Sequence, residues 1–212
     1  NEHILADRWP PYEQRIKMLE EAVEVMRLLW EGGEKSHEGK YYRVENARIY
    51  DLPEQPVPIM MAAGGPNSAE VAGRIADGLI ATGPNKEMMK AFEQNGGKNK
   101  PRYWHITVCV DSNKQRAIEL AHKIWPTAGF AGQLNQELAT PKQFEMAAEM
   151  VTPEMIAKNI ICGNDVEEHL AEIKKYSDAG FDHIYIHQVG PEQERFFDFY
   201  EKKVMPKLRL EA

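Results

Sequence analysis

The sequence is short of cysteine, of long apolar runs and of positive charge, and each shortage removes a class of function. Two cysteines, Cys109 and Cys162, occur among 212 residues. Each sits in an apolar run (HITVCV and NIICG) where a thiol packs as a small hydrophobe, which is not the pattern of a disulfide-stapled secreted domain; a reducing, cytoplasmic compartment is expected. No stretch approaches the roughly 20 consecutive apolar residues that span a bilayer, and the opening NEHILADRWPPYEQR has neither a basic nor an apolar leader region. Membrane insertion and export are therefore not expected. With 26 Lys and Arg against 33 Asp and Glu, the formal charge is -7, which leaves no basic face to neutralise a phosphate backbone, so nucleic acid is not an expected partner. There is no G-x-G-x-x-G between a strand and a helix, no nucleophile elbow, and no internal repeat; EQNGGKNKPR reads as an exposed loop.

What is present is alternation. Tyr12 to Trp30 places Ile16, Leu19, Val23, Met26 and Trp30 on one helical face and Gln14, Lys17, Glu21 and Glu24 on another. Gly32 and Gly33 end that helix, and YYRVENARIYDLP offers two short extended pieces, a small hairpin or excursion. From Val57 short apolar runs alternate with helical segments: strand VPIMMAA, helix Asn67 to Asp77, strand GLIAT, helix Lys86 to Asn95, strand WHITVCV and helix Lys114 to Ile124. A long poorly patterned stretch, 126–152, follows; then a helix from Pro153, the strand NIIC, a helix Val166 to Ala179, the strand HIYIH and a helix Pro191 to Val204. Short apolar runs separated by helices predict parallel strands joined by crossovers, an α/β architecture in one domain over 1–212. An open doubly wound sheet and a closed (β/α)8 barrel both fit, with about four or five of a barrel's eight units visible. The stretch 126–152 carries Phe130, Leu134, Leu138 and Phe144, which need cover, so it is expected as an insertion over the C-terminal ends of the strands.

The most informative run is MMAAGGPNSAEVAGRIADGLIATG. Small residues Ala62, Ala63, Gly64 and Gly65 end a strand and let a flat or anionic ligand approach the backbone, while Pro66 and Asn67 open a helix whose free N–H groups attract negative charge. A tight turn that merely needs glycine is the competing explanation. His183 and His187 share one face of a strand, yet no cysteine or carboxylate stands at metal spacing beside them, and no metal is expected. Trp104 and His105 read as structural, Met60, Met61, Met88 and Met89 as gap-filling core or pocket lining, and Glu172 with Lys175 as a weak surface ion pair.

Asn1-Glu2 at the start, Trp9-Pro10 before a helix ending MRLLW, then EGKYYR, AAGGP with AGRIADGLIAT behind it, and DAGFDHIYIH: this order resembles the F420-dependent glucose-6-phosphate dehydrogenases and their luciferase-like relatives, across essentially the whole chain. The resemblance implies a (β/α)8 barrel of which this chain is the C-terminal two-thirds, with the catalytic acid and base upstream of Asn1. It implies that Asn1 touches the head of coenzyme F420, that Gly64 and Gly65 pack against that cofactor, and that Asn67 and Ser68 hold its phosphate. Thr82 resembles a threonine that meets the sugar phosphate. The three basic residues of that phosphate pocket align with Asn85, Asn135 and Asn159, with Lys86 and Lys158 one residue away from two of them. A dianion among neutral amides lacks its charge-assisted hydrogen bonds, so glucose 6-phosphate is not the expected substrate. The expectation is a homodimeric enzyme moving a hydride between F420 and a small alcohol- or aldehyde-level substrate. An FMN-dependent monooxygenase of the same superfamily and a non-catalytic barrel fragment or interaction module are the alternatives; the last follows from the unpaired edges of a part-barrel.

Overall fold

The computed structural model describes residues 9–81, 83–132 and 134–208. Two compact units divide the chain, one of Arg8–Tyr103 with Ala179–His183, the other of Trp104–Asp178 with Ile184–Ala212. Both are α/β.

In the first unit, helix α1 (Tyr12–Trp30) forms over the bounds that its periodicity predicts and buries Val23 and Val25. The Arg27 guanidinium donates to the Ile75 carbonyl at 2.9 Å and to the Asp77 carboxylate at 3.0 Å, tying the helix to the chain behind it. Strands β1 (Lys35–Glu38) and β2 (Arg43–Ala47) form an antiparallel hairpin. Its first strand lies earlier than the sequence suggests, and ARIYDLP does not become a strand. The reason is remote from the hairpin. The Glu21 carboxylate on α1 accepts backbone N–H bonds from Lys40 at 3.2 Å, Tyr41 at 3.0 Å and Tyr42 at 2.7 Å, which fixes residues 39–42 as the turn. Burial pushes this carboxyl up, and the bonds from Tyr42, Tyr41, His37 and Lys40 more than offset it and hold it below the usual range.

Strand β3 (Met60–Ala62), helix α2 (Pro66–Ile75) and strand β4 (Gly78–Ala81) follow with almost no loop, and β3 pairs parallel to β4 with Met61 opposite Leu79. Helix α3 (Lys86–Phe92) packs on α2 at Gly73, where a Cβ would lie 2.6 Å from the Phe92 carbonyl. Met61, Met88 and Met89 are core residues.

Strand β5 (Arg102–Cys109) leads through the second unit to α4 (Lys114–Ile124), again with the predicted bounds. The stretch 126–152 is more regular than its pattern suggests. It holds a 3-10 turn (Pro126–Gly129), α5 (Leu134–Glu137) and α6 (Pro141–Ala148), the last set by a Thr140/Gln143 capping box. Helix α7 (Pro153–Asn159), strand β6 (Ile161–Cys162), helix α8 (Val166–Asp178) and strand β7 (His183–Gln188) come next. Helix α9 (Gln193–Phe199), a π turn (Tyr200–Val204) and α10 (Met205–Leu208) follow. Strand β6 is parallel to β5, and β7 also pairs with β5. Cys109, Ala117, Ala121, Val151, Ile156, Ile160 and Cys162 form one core, against which Ala128 and Phe130 of the poorly patterned stretch pack. The 3-10 turn of that stretch lies against α4, α6 and α7. Among the described residues no helix is long and apolar enough to cross a membrane.

Candidate functional site

The turn from β3 into α2 is where the sequence places a ligand, and its geometry says what its glycines are for. The Ala63 N–H donates to the Ile80 carbonyl at 2.9 Å, so the chain leaves the sheet in register, and Gly65 caps the helix with φ -167 and ψ 175, extended backbone that any residue adopts. A Cβ built on Gly64 or Gly65 meets no atom within 4 Å. Neither conformation nor packing against the described residues demands glycine here, in contrast to Gly73. The helix N-terminus beside this open backbone has no acidic residue in its first turn, and the Asn67 and Ser68 N–H groups are among those a helix leaves without internal acceptors. Asn67 is exposed. The Ser68 hydroxyl donates to the Gly65 carbonyl at 3.0 Å and accepts from its N–H at 3.3 Å, so it must rotate away from that carbonyl before donating to a ligand. The donor set fits an anion beside a flat ring system. Asn1 and Thr82, the other two residues assigned by resemblance to cofactor and sugar phosphate, lie outside the described residues.

Of the three asparagines that the resemblance sets against a basic pocket, two carry structural duties. Asn85 caps α3, its Oδ1 accepting from the Met88 N–H at 3.0 Å. Asn159, the last residue of α7, donates through Nδ2 to the Ala128 carbonyl at 2.8 Å and so holds the 3-10 turn. Asn135 is exposed on α5. Lys86 and Lys158 are exposed as well.

Further clusters involve Trp104 and His105, read from the sequence as structural, the pair His183 and His187, and side chains that no sequence pattern singled out. Trp104 is fully buried and stacks on Tyr176 at 4.0 Å. The next residue of β5, His105, faces the other way, with its ring 5.5 Å from that of His187, on which Trp125 sits edge-on at 5.2 Å. Burial, then the neighbouring His187, keeps His105 below the ordinary histidine range. His183 instead meets Asp182 at 2.6 Å and stacks on Tyr103. Asp111, just beyond β5, has a buried carboxylate that takes hydrogen bonds from Arg116 at 2.7 and 3.0 Å, Arg195 at 2.8 Å and the Asn113 N–H at 2.8 Å. In α8 the fully buried His169 contacts the Tyr200 hydroxyl at 2.7 Å and the Gly163 carbonyl at 3.3 Å. Glu172 and Lys175 pair at 2.6 Å on the surface, as expected. Among the described residues no group of three or more His, Cys, Asp or Glu is placed to hold a metal ion.

A model of the luciferase-like monooxygenase family matches residues 4–183. Among curated proteins, the F420-dependent glucose-6-phosphate dehydrogenase of Nocardia farcinica is 36% identical over 96% of this chain and 64% of its own length. That of Mycobacterium avium is 33% identical over 95% and 63%. The chain thus spans about 64% of the length of the relatives it matches. Among solved structures, an F420-dependent secondary alcohol dehydrogenase in complex with an F420-acetone adduct superposes with a TM-score of 0.77 at 25% identity, over 93% of this chain and 63% of that one. The coenzyme F420-dependent tetrahydromethanopterin reductase of Methanopyrus kandleri gives 0.69 at 20%, over 91% and 63%.

Proposed function

Because the chain belongs to the luciferase-like monooxygenase family, we propose that it is the cofactor-binding part of an F420-dependent oxidoreductase. The whole enzyme would move a hydride between coenzyme F420 and an alcohol- or aldehyde-level substrate. The observation that carries this reading is the open backbone at Gly64 and Gly65 beside the N-terminus of α2, where a Cβ would meet no atom of the described residues within 4 Å. Gly64 and Gly65 admit the cofactor's flat ring, Asn67 and Ser68 offer N–H groups to its phosphate, and Asn1 takes its head group. When bound, F420 supplies the hydride carrier; the residues of this chain position it. The strands are the later ones of a (β/α)8 barrel. The acid and base are assigned upstream of Asn1, as the resemblance implies, so the 212 residues alone should show no turnover. Homodimerisation and a cytoplasmic location belong to the same proposal, the first on the resemblance and the second on the scarcity of cysteine.

We further propose that glucose 6-phosphate, for which the curated relatives are named, is not the substrate. Asn85, Asn135 and Asn159 offer no charge, and two of them already hold backbone groups. Losing three charge-assisted bonds at roughly 1.5–3 kcal/mol each removes several orders of magnitude in affinity. The test titrates the full-length protein with F420 and with FMN, then compares glucose 6-phosphate with uncharged secondary alcohols as F420 reductants at low ionic strength. Tight binding of F420 and reduction by the alcohols are expected. Preference for FMN would move the enzyme to the monooxygenases, preference for the sugar phosphate would bring Lys86 and Lys158 into the pocket, and binding of neither cofactor would favour a non-catalytic module.

A further inference from the structure

Cys109 ends β5 and Cys162 ends β6, and the two are direct partners in the parallel register of those strands. Neighbouring strands run about 4.7–4.9 Å apart, inside the roughly 4.4–6.8 Å range of Cα separations that a disulfide spans. Both side chains enter one core, with Ala117 and Ala121 of α4 and Ile156 of α7, so they leave the sheet on the same face. Both are free thiols, and the chain has two cysteines in all. Parallel Cβ bonds across such a pair stand somewhat wider than the roughly 3.8 Å a disulfide prefers, so one strand must tilt. Strand β6 has two residues and is followed by Gly163 at φ +107, whose N–H donates to the Cys109 carbonyl at 2.9 Å and whose carbonyl meets His169, so tilting this short strand must break those bonds. Both residues are buried, with 0% of Cys109 and 3% of Cys162 exposed. Burial keeps both protonated, Cys162 with its pKa pushed up to about 12, and so unreactive while the core is closed.

We propose that Cys109 and Cys162 are a gated dithiol, a modification site at which a peroxide or a small disulfide oxidant, admitted when β6 opens, closes an intramolecular disulfide. With hydrogen peroxide the first thiol attacks the O–O bond to give a sulfenic acid and one water. The second thiol displaces the hydroxyl as another water while the S–S bond forms, so the pair loses two electrons and two protons in total. The bond ties β6 to β5 and closes the connection from Val110 to Ile161 into a covalent loop that cannot swing open. This inference is independent of the proposed cofactor.

The native protein is incubated with hydrogen peroxide or diamide, unfolded in guanidinium containing N-ethylmaleimide, and weighed intact. A chain lighter by two hydrogens, with no alkylation and with the peptides of Cys109 and Cys162 joined, is expected. Sub-denaturing urea should speed its formation several-fold, because opening is the gate. In Cys162→Ala, where no second thiol can displace the hydroxyl, the loss of two hydrogens should disappear, and Cys109 should be recovered alkylated or as an oxygen adduct. Two alkylated cysteines after an exposure that oxidises the unfolded chain completely, or linkage between chains alone, overturns the proposal. Both readouts use the unsubstituted protein, so a variant that fails to fold leaves the decision intact.

Discussion

Replacing Gly65 by valine separates a glycine kept for a ligand from one kept for the fold. The extended backbone at Gly65 suits a β-branched residue, and a Cβ there meets nothing within 4 Å. Stiffening the unfolded chain should contribute about 0.4–1 kcal/mol of stability, while valine is a poorer N-cap than glycine by a similar amount, roughly 0.5–1 kcal/mol. The two offset, and the melting temperature should stay within about 3 °C of the original, at about 2–4 °C per kcal/mol for a chain of this size. Gly73→Ala is the contrast. Alanine gains about 1 kcal/mol in helix propensity, yet its Cβ would lie 2.6 Å from the Phe92 carbonyl and 2.9 Å from that of Asn95, backbone atoms that cannot rotate aside. Overpacking at the upper end of the usual range, about 3 kcal/mol, leaves a net cost of about 2 kcal/mol and a melting temperature lower by about 4–8 °C. F420 affinity, read by fluorescence titration of the full-length protein, should fall at least about tenfold in Gly64→Val and Gly65→Val, a loss of about 1.4 kcal/mol or more. Unchanged affinity in both valine variants would refute the site. A Gly65→Val protein that melts several degrees early would show that the turn needs its glycine for folding, and the ligand argument would fail with it.

Asp111→Ala leaves Arg116 and Arg195 without their shared buried partner and should cost about 3 kcal/mol, the lower end for breaking a buried ion pair because both guanidinia remain in water; chemical denaturation measures it. Burial raises the Asp111 carboxyl, but hydrogen bonds from Arg116 and the Asn113 N–H, with the charges of Arg116 and Arg195, more than compensate and hold it below the usual range. A depressed folded pKa gives stability that is full above the unfolded value, about 3.9, and is lost as pH falls through the folded one. Asp111→Asn should therefore flatten the acid limb of a stability-against-pH curve below about pH 4, and an unaltered limb would count against the network. Tyr200→Phe removes the hydroxyl facing His169 Nδ1 and should cost about 1–3 kcal/mol by leaving a buried ring nitrogen unsatisfied. His169 is held below its ordinary range by burial, so its stabilising contribution is complete above about pH 6.5 and declines below it. His169→Gln should remove that decline.

Elements set by local pattern were legible in the sequence. Tyr12–Trp30 and Lys114–Ile124 begin and end where their apolar spacing does, and the turn at Gly64 and Gly65 falls between the expected strand and helix. The hairpin was displaced because its turn is chosen by Glu21, some twenty residues earlier, and no pattern within YYRVENARIYDLP carries that information. Helix α6 was missed although Thr140-Pro141-Lys142-Gln143 spells a capping box, which periodicity over 126–152 does not register. The asparagines divide the same way. Asn85 before Lys86-Glu87 is readable as a helix cap, whereas the bond from Asn159 to the Ala128 carbonyl joins groups 31 residues apart and emerges only on folding.

The grip of Glu21 on its turn makes the hairpin a clasped appendage. One acidic side chain on a rigid helix captures three successive amides at the tip, so strands of four and five residues keep their place without a hydrophobic floor of their own. Such a clasp sets the place of the turn from outside the hairpin, so the hairpin's position does not depend on the length or character of the segment that follows it. It also concentrates the risk. A glutamine at position 21 keeps the shape of the acid but brings neutral acceptors and an added donor to amides that need a charge, and the whole excursion would then come loose at a single point, with the helix still standing.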